Sequence, residues 1–521
     1  MSPSLKETLK SVESTESHVR VIARAGTGKT TTMIEGLKII KGLEPSIIPS
    51  EQQAAIWEEM KLSASAKKIA FTAFNKSIAK ELQSKVPAGV DAMTMHSLGF
   101  KAVQNAFGKV KPDSWRTVNL ICKALGRDYK ELRRNDPLLL NATQKLISLV
   151  KQNLATEDNY MELVVHYEVP VKDVNLSKLF ELTTEVIELS KDVATDRSCH
   201  FDDMIWLPVA LGLPMAKYDL LIVDEAQDLN KCQQQLALKA GKRLIFVGDE
   251  KQAIYGFAGA DSESLDRLET ILSDTEQGCT SLPLTMTRRC GRAIVEEAQK
   301  LVPDFEYHES NGEGLVQDIP FEGENSYLSI VAQGDMILSR VNAPLVRECF
   351  RFLKQGKKAQ IQGRDIGKNL ITLIHNLVKQ PKQPYCSADD SIHTTELIEA
   401  LESWLSKEVS LEEAKKNPSE NRIIMMQDKR DCIVCLASQT ETVGEVVAKL
   451  EEMFSDKEAP GIRLSSIHKA KGLEADRVFF INTKDAPCPH PMAKSSWAQE
   501  QEYNLFYVAV TRAIKELYFV K

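Results

Sequence analysis

Short apolar runs at residues 19–23, 69–73, 220–223, 244–247, 336–338, 478–481 and 517–520 punctuate this chain, each followed by a turn and then a helical pattern. Runs of that length, bounded by turn residues and alternating with helices, predict buried parallel strands of an α/β sheet. Such a sheet delivers its chemistry at the carboxyl ends of its strands. At 521 residues the chain is too long for one core, and roughly 100–200 residues per domain predicts three or four domains. Hydrophobic content of 43% and charged content of 27% exclude wholesale disorder and fibrous classes.

The texture changes between residues 97 and 200. Segments such as TQKLISLVKQNLA and LSKLFELTTEVIELSKDVA place apolar residues at helical spacing, predicting an all-helical insertion. A second insertion is expected at 371–460, where Pro381, Pro384 and the polar run 415–421 interrupt the pattern. The expected division is a first α/β domain from 1–96 and 201–280, the helical insertion 97–200, a second α/β domain from 281–370 and 461–521, and the short accessory insertion 371–460.

No stretch approaches 18 apolar residues, and the start MSPSLKETLKSVEST lacks the apolar core of a signal peptide. A protein neither membrane-spanning nor secreted is expected. Ten cysteines are scattered singly apart from Cys432 and Cys435, a pattern of free thiols in a reducing compartment. The CxxC pair has no convincing second pair; Cys386, or Cys488 with His490, would complete a metal site only if the fold brought them together. The net charge of −7 disfavours indiscriminate coating of nucleic acid but leaves room for a local basic channel. Lys67, Lys68, Lys76 and Lys80 form one basic cluster, and Arg351, Lys354, Lys357, Lys358 and Arg364 another. A solvated helix face explains most such clusters, so alone they prove little.

The segment ARAGTGKT at 23–30 follows the first apolar run and opens a helical pattern at 31–40, the context a phosphate-binding loop requires. Gly26 and Gly28 would let backbone N–H groups turn inward around phosphates, and the helix start adds positive potential. Ala25, Gly26, Thr27, Gly28, Lys29, Thr30 and Thr31 are the expected nucleotide contacts. Lys29 would reach the β and γ phosphates, and Thr30 would hold Mg²⁺. Asp224 and Glu225 end the run LLIV, where unpaired charge would be costly. Asp224 is expected to hold Mg²⁺, and Glu225 to orient and deprotonate the attacking water. Together the two motifs predict a nucleoside triphosphatase.

The word VDEAQDLN at 223–230 narrows the reading, because there the chain resembles the UvrD/Rep/PcrA group of superfamily 1 DNA helicases, including the branch related to F-box DNA helicases. The resemblance continues in order through AFTAFNKSIAKEL, TMHS at 94–97, VGDEKQAIYGFAGAD, LTMTRRCGRAIVEEA, SSIHKAKGLEADRVFFIN and NLFYVAVTRAIKELYFV. It implies two RecA-like domains in tandem that close on ATP between them. It further implies that Gln252 senses the γ phosphate, that Arg289 and Arg512 are arginine fingers, that Glu474 contacts the ribose and that Phe257 stacks on a base. Arg512 is expected on the apolar helical face of Leu505 and Val508, where an arginine needs an anionic partner.

Phe74, Tyr255 and Phe257 are expected in loops, where base stacking and core packing are both open to them. Asn75 and Lys76 suit backbone phosphates. Thr94 lies in the segment resembling a strand-contacting motif, while His96 and His468 suit either a bridge between DNA and nucleotide or a structural role. The family's adenine-reading glutamine precedes the phosphate loop, but the first glutamine here is Gln52. The segment 49–57 is either a displaced adenine reader or a helix start capped by Ser50. Arg288 stands where the family stacks an aromatic ring on adenine, Ala258 replaces an arginine, and Ala73–Phe74 reverses the usual order. The second insertion is shorter than the family's large accessory domain, so strand separation is expected to depend on protein partners.

These features predict an ATP- and Mg²⁺-dependent translocase and helicase on single-stranded and tailed duplex DNA. The resemblance implies 3′→5′ polarity and a cytoplasmic or nucleoid-associated location, nuclear in a eukaryote. The rival expectation is a nucleotide-gated sensor subunit with little unwinding of its own.

Overall fold

The computed structural model describes residues 17–61, 68–167, 169–171, 173–254, 263–378, 392–414, 418–455, 461–494 and 496–521. Two compact units, Met1–Thr285 and Met286–Lys521, make up the chain. Each is an α/β unit built on its own parallel sheet.

In the first unit β1 (His18–Ala23), β2 (Ile69–Ala73) and β3 (Val90–Thr94) are followed by a helical insertion. That insertion contains the two-residue strands β4 (Lys111–Pro112) and β5 (Ser198–Cys199). The chain then returns as β6 (Tyr218–Val223), β7 (Gly241–Gly248) and β8 (Cys279–Leu284), giving the order β3-β2-β6-β7-β1-β8. All pairings are parallel, with Ala73 opposite Thr94, Thr72 opposite Val223 and Ile22 opposite Gly248. This register brings the segments leaving β1, β6 and β7 to one edge. Val19, Val21, Leu220, Ile222, Ile245 and Val247 are fully buried there, each contributing about 1.5–3 kcal/mol of burial.

The insertion is carried by the helices Met95–Phe107, Arg116–Leu125, Pro137–Asn153, Leu176–Ser190 and Phe201–Ala210. Ile121, Leu146, Leu149, Leu179 and Val186 fill its core. A buried polar cluster ties four of these helices together: Arg116 Nη1 and Lys151 Nζ meet the two oxygens of Asp203 at 2.8 and 2.6 Å. Ser190 completes the cluster, its carbonyl accepting from Arg116 and its hydroxyl from Lys151, each at 3.0 Å. Gly99 brings the first helix against the last, since a Cβ there would lie 2.1 Å from the Met204 carbonyl oxygen.

The second unit begins with the short pair β9 (Met286–Thr287) and β10 (Glu306–Tyr307). Its main sheet comprises β11 (Leu315–Ile319), β12 (Met336–Ser339), β13 (Ala359–Gln362), β14 (Phe454–Ser455), β15 (Ile462–Ser466), β16 (Ala475–Ile481) and β17 (Ala513–Val520). Their order is β11-β17-β16-β12-β15-β13-β14, again all parallel. Between β13 and β14 lie the helices Arg364–Leu377, Thr394–Glu413, Glu420–Ala437 and Val443–Met453. Among the described residues no helix is long and apolar enough to cross a membrane.

Candidate functional site

The expected phosphate loop leaves β1 at Ala23 and turns through Gly26 at φ 68° and Gly28 at φ 81°. Both lie in the left-handed region that glycine enters without steric cost. Gly28 caps the helix Lys29–Ile40 and has no side chain to occupy its first-turn amides, which suits an anion at that helix start. The Gly28 carbonyl accepts from Thr32 N at 2.8 Å and Thr32 Oγ1 at 2.9 Å, and Thr27 Oγ1 donates to the Arg24 carbonyl at 2.9 Å. Ala25 and Thr27 are buried, whereas Thr31 is exposed.

The adjacent end of β6 supplies the carboxylates. Lys29 Nζ meets Glu225 Oε1 at 2.8 Å, and Thr30 Oγ1 donates to Asp224 Oδ2 at 3.1 Å. Burial, and then the charge of Glu225, push the Asp224 carboxyl up to about 6. Burial works against the Lys29 ammonium, but Glu225, Asp224 and Asp249 outweigh it and hold its pKa above the ordinary value. Glu225 itself adopts φ 52°, a conformation uncommon for a residue with a side chain. Gln227 donates to Glu225 Oε2 and accepts from Asp249 N at 3.1 Å. Gln252 Nε2 donates to Asp249 Oδ2 at 2.7 Å. Lys29, Thr30, Asp224, Glu225 and Gln252 therefore belong to one connected neighbourhood.

Thr30 and Asp224 converge as hard oxygen donors, the chemistry Mg²⁺ takes when phosphates and water complete its shell. Among the described residues no group of three or more His, Cys, Asp or Glu side chains could hold a metal ion. Cys432 and Cys435 share one helix, and Cys432 Sγ lies 3.8 Å from Asp428 Oδ1.

At the carboxyl ends of β2 and β3 stand the expected strand contacts. Phe74 is 53% exposed, so it is not a core residue, and Lys76 is exposed beside it. Asn75 Oδ1 caps the helix Lys76–Lys85 through Ile78 N at 2.9 Å, and Thr94 Oγ1 caps the helix Met95–Phe107 through Ser97 N at 3.1 Å. Burial lowers the His96 pKa against the opposing charge of Asp202. Tyr255, Phe257 and Ala258 lie outside the described residues, as do Lys67, Pro381, Pro384 and Cys386. Ser50 caps the helix Glu51–Glu59 in a reciprocal pair with Gln53. Gln52 exchanges hydrogen bonds with Thr285, donating to its Oγ1 at 2.9 Å and accepting from its N at 3.0 Å.

In the second unit Arg289 Nε meets Glu474 Oε2 at 2.6 Å, while Arg288 is exposed. The charges of Arg289, Arg512 and Glu474 all act on the buried Cys290 thiol, which burial pushes up to about 11. The helix Ser496–Val510 ends before Arg512, so the expected helical face does not extend to it. Arg512 instead turns its buried guanidinium back on the helix end, donating to Val508 O at 2.9 Å, Leu473 O at 3.2 Å and Thr511 Oγ1 at 3.2 Å. His468 is held neutral, its pKa lowered to about 3 by burial and by Arg340.

Sequence reasoning passed over Arg24, Gln227 and Asp249. Each is a polar residue directly after an apolar strand or within a turn that follows one, but its partner is remote in sequence.

A family model described as the UvrD/REP helicase N-terminal domain matches residues 5–272, and one described as the UvrD-like helicase C-terminal domain matches 143–521. The F-box DNA helicase protein 1 of Schizosaccharomyces pombe is 24% identical over 96% of this chain and 55% of its own length. The putative ATP-dependent DNA helicase YjcD of Bacillus subtilis is 24% identical, covering 98% of this chain and 78% of YjcD. The ATP-dependent DNA helicase PcrA of the same bacterium is 20% identical over 98% of this chain and 81% of PcrA. The chain thus spans only about half of the F-box relative's length.

Proposed function

The chain belongs to the UvrD-like helicase family, and from that premise we propose that it is an ATP-dependent DNA helicase that moves 3′→5′ along single-stranded DNA. The observation that carries the reading is the meeting of Lys29 and Thr30 with Glu225 and Asp224 at 2.8 and 3.1 Å. A strand end, a left-handed glycine loop and a carboxylate pair converge there on the chemistry of phosphoryl transfer.

In this proposal the first-turn amides and Lys29 bind the triphosphate. Lys29 exchanges its Glu225 partner for phosphate oxygens, which leaves Glu225 able to accept a proton from water. Thr30 and Asp224 hold Mg²⁺, which when bound neutralises charge on the phosphates. Gln252 reads the γ phosphate, and Arg289 and Arg512 supply positive charge during turnover. Glu474 and Arg288 contact the nucleoside. The exposed Phe74, with Asn75, Lys76, Thr94, His96 and His468, follows the strand, as do Tyr255 and Phe257.

The test combines ATP hydrolysis with and without single-stranded DNA and unwinding of duplexes bearing a 3′ tail, a 5′ tail or none. Stimulated hydrolysis and unwinding of the 3′-tailed duplex are expected. Hydrolysis indifferent to DNA would remove the motor, and preference for the 5′ tail would reverse the polarity.

A further inference from the structure

Arg24 is the second residue of the phosphate loop, yet it is only 5% exposed. Its Nη1 donates to Asp249 Oδ1 and to Glu250 Oε1, each at 2.9 Å. A guanidinium withdrawn from water is costly unless carboxylates compensate it, so this pairing holds the loop against the turn that ends β7. The other Asp249 oxygen accepts from Gln252 Nε2 at 2.7 Å, and the Asp249 N–H reaches Gln227 Oε1 at 3.1 Å. Gln227 donates to Glu225, whose second oxygen meets Lys29 at 2.8 Å. The polar chain therefore leaves the phosphate loop at Arg24, crosses the turns after β7 and β6, and re-enters the loop at Lys29.

We infer that Arg24 is a positioning residue for hydrolysis, fixing Gln252 and Glu225 relative to the phosphates by anchoring Asp249. The inference rests on the functional reading above. Geometry and charge both contribute. Asp249 is fully buried, and its charge bears on Lys29. Arg24 offsets that charge, so the Lys29 ammonium is left for the phosphates. Without Arg24, Asp249 competes for Lys29 and the Gln252 amide loses its fixed anchor.

The test compares Arg24→Ala, Arg24→Lys and the double variant Arg24→Ala/Asp249→Asn in the full chain. It reads kcat and KM for DNA-stimulated ATP hydrolysis, fluorescent-nucleotide binding and melting temperature. Arg24→Ala is expected to lower kcat about 10- to 100-fold, the usual cost of losing a group that orients a reacting one, with a smaller rise in KM for ATP as Asp249 competes for Lys29. Arg24→Lys, which reaches one carboxylate, restores part of the rate. Asp249→Asn does the same by removing the charge left without its partner. Should Arg24→Ala fail to fold, Arg24→Gln carries the same kcat expectation.

A wild-type kcat in Arg24→Ala or Arg24→Gln overturns the inference. So does a loss that neither Arg24→Lys nor Asp249→Asn relieves, which would make Arg24 a packing residue. A wild-type chain lacking DNA-stimulated hydrolysis would refute the helicase reading itself. An active wild type with an indifferent Arg24→Ala would refute only the role of Arg24.

Discussion

Replacing Glu225 by glutamine keeps the side chain's length but removes the charge that Lys29 meets at 2.8 Å. Breaking a buried ion pair commonly costs about 3–5 kcal/mol because it strands the remaining charge. Lys29 is not stranded here, since the charges of Asp224 and Asp249 also act on it. The Asp224 carboxyl is pushed up to about 6 by burial and then by Glu225, so losing the Glu225 charge moves it down and favours its anion at neutral pH. Both effects preserve a nucleotide site with Mg²⁺. Nucleotide affinity is therefore expected to hold or rise, while loss of the general base lowers turnover about 10²- to 10⁴-fold. At about 1.36 kcal/mol per decade, that is roughly 3–5 kcal/mol of barrier. Steady-state hydrolysis alongside titration calorimetry with a non-hydrolysable ATP analogue measures the two quantities separately. Turnover near wild type would refute the assignment of the base. Affinity falling in step with turnover would mean that Glu225 serves only to hold Lys29.

Lys29→Ala should abolish hydrolysis and leave most single-strand binding, read by ATPase assay and fluorescence anisotropy; normal hydrolysis would dismiss the phosphate-loop assignment. Phe74→Ala should weaken single-strand binding by about 1–3 kcal/mol, one lost base stack, with DNA-free hydrolysis unchanged. An unaltered affinity would exclude Phe74 from the strand path. Arg116→Ala should destabilise the first unit by about 3–5 kcal/mol in urea titration, because Asp203 and Asp196 lose a buried partner. A change below about 1 kcal/mol, the scale of an exposed pair, would contradict that account.

The interior of the first sheet, and β12, β16 and β17 of the second, were legible because these strands are largely buried. The runs 69–73 and 220–223 fall wholly within β2 and β6, which sit beside one another in the first sheet. Edge strands escaped for the opposite reason. β8, reading CTSLPL, and β11, reading LVQDI, each lie at a margin with most residues partly exposed, so neither forms a continuous apolar run. β15 is interior, yet it ends in the buried Ser465 and Ser466, and polarity hid it. At the site, the glycine spacing and the carboxylate pair were readable because each is a contiguous motif directly after a buried strand. Arg24 was not, since its meaning depends on Asp249, 225 residues away. Arg512 was misplaced on a helical face because periodicity carries no sign of where a helix stops.

The contact at Gly99 also bears on how the helical insertion is mounted. A backbone that approaches its neighbour this closely leaves no cushion of side chains to absorb small displacements. The helix rooted at Thr94 and the helix that leads back toward β6 must therefore travel as a single splint. A tug felt at His96 would pass directly to the helix Phe201–Ala210, where a looser joint would let it dissipate within one turn.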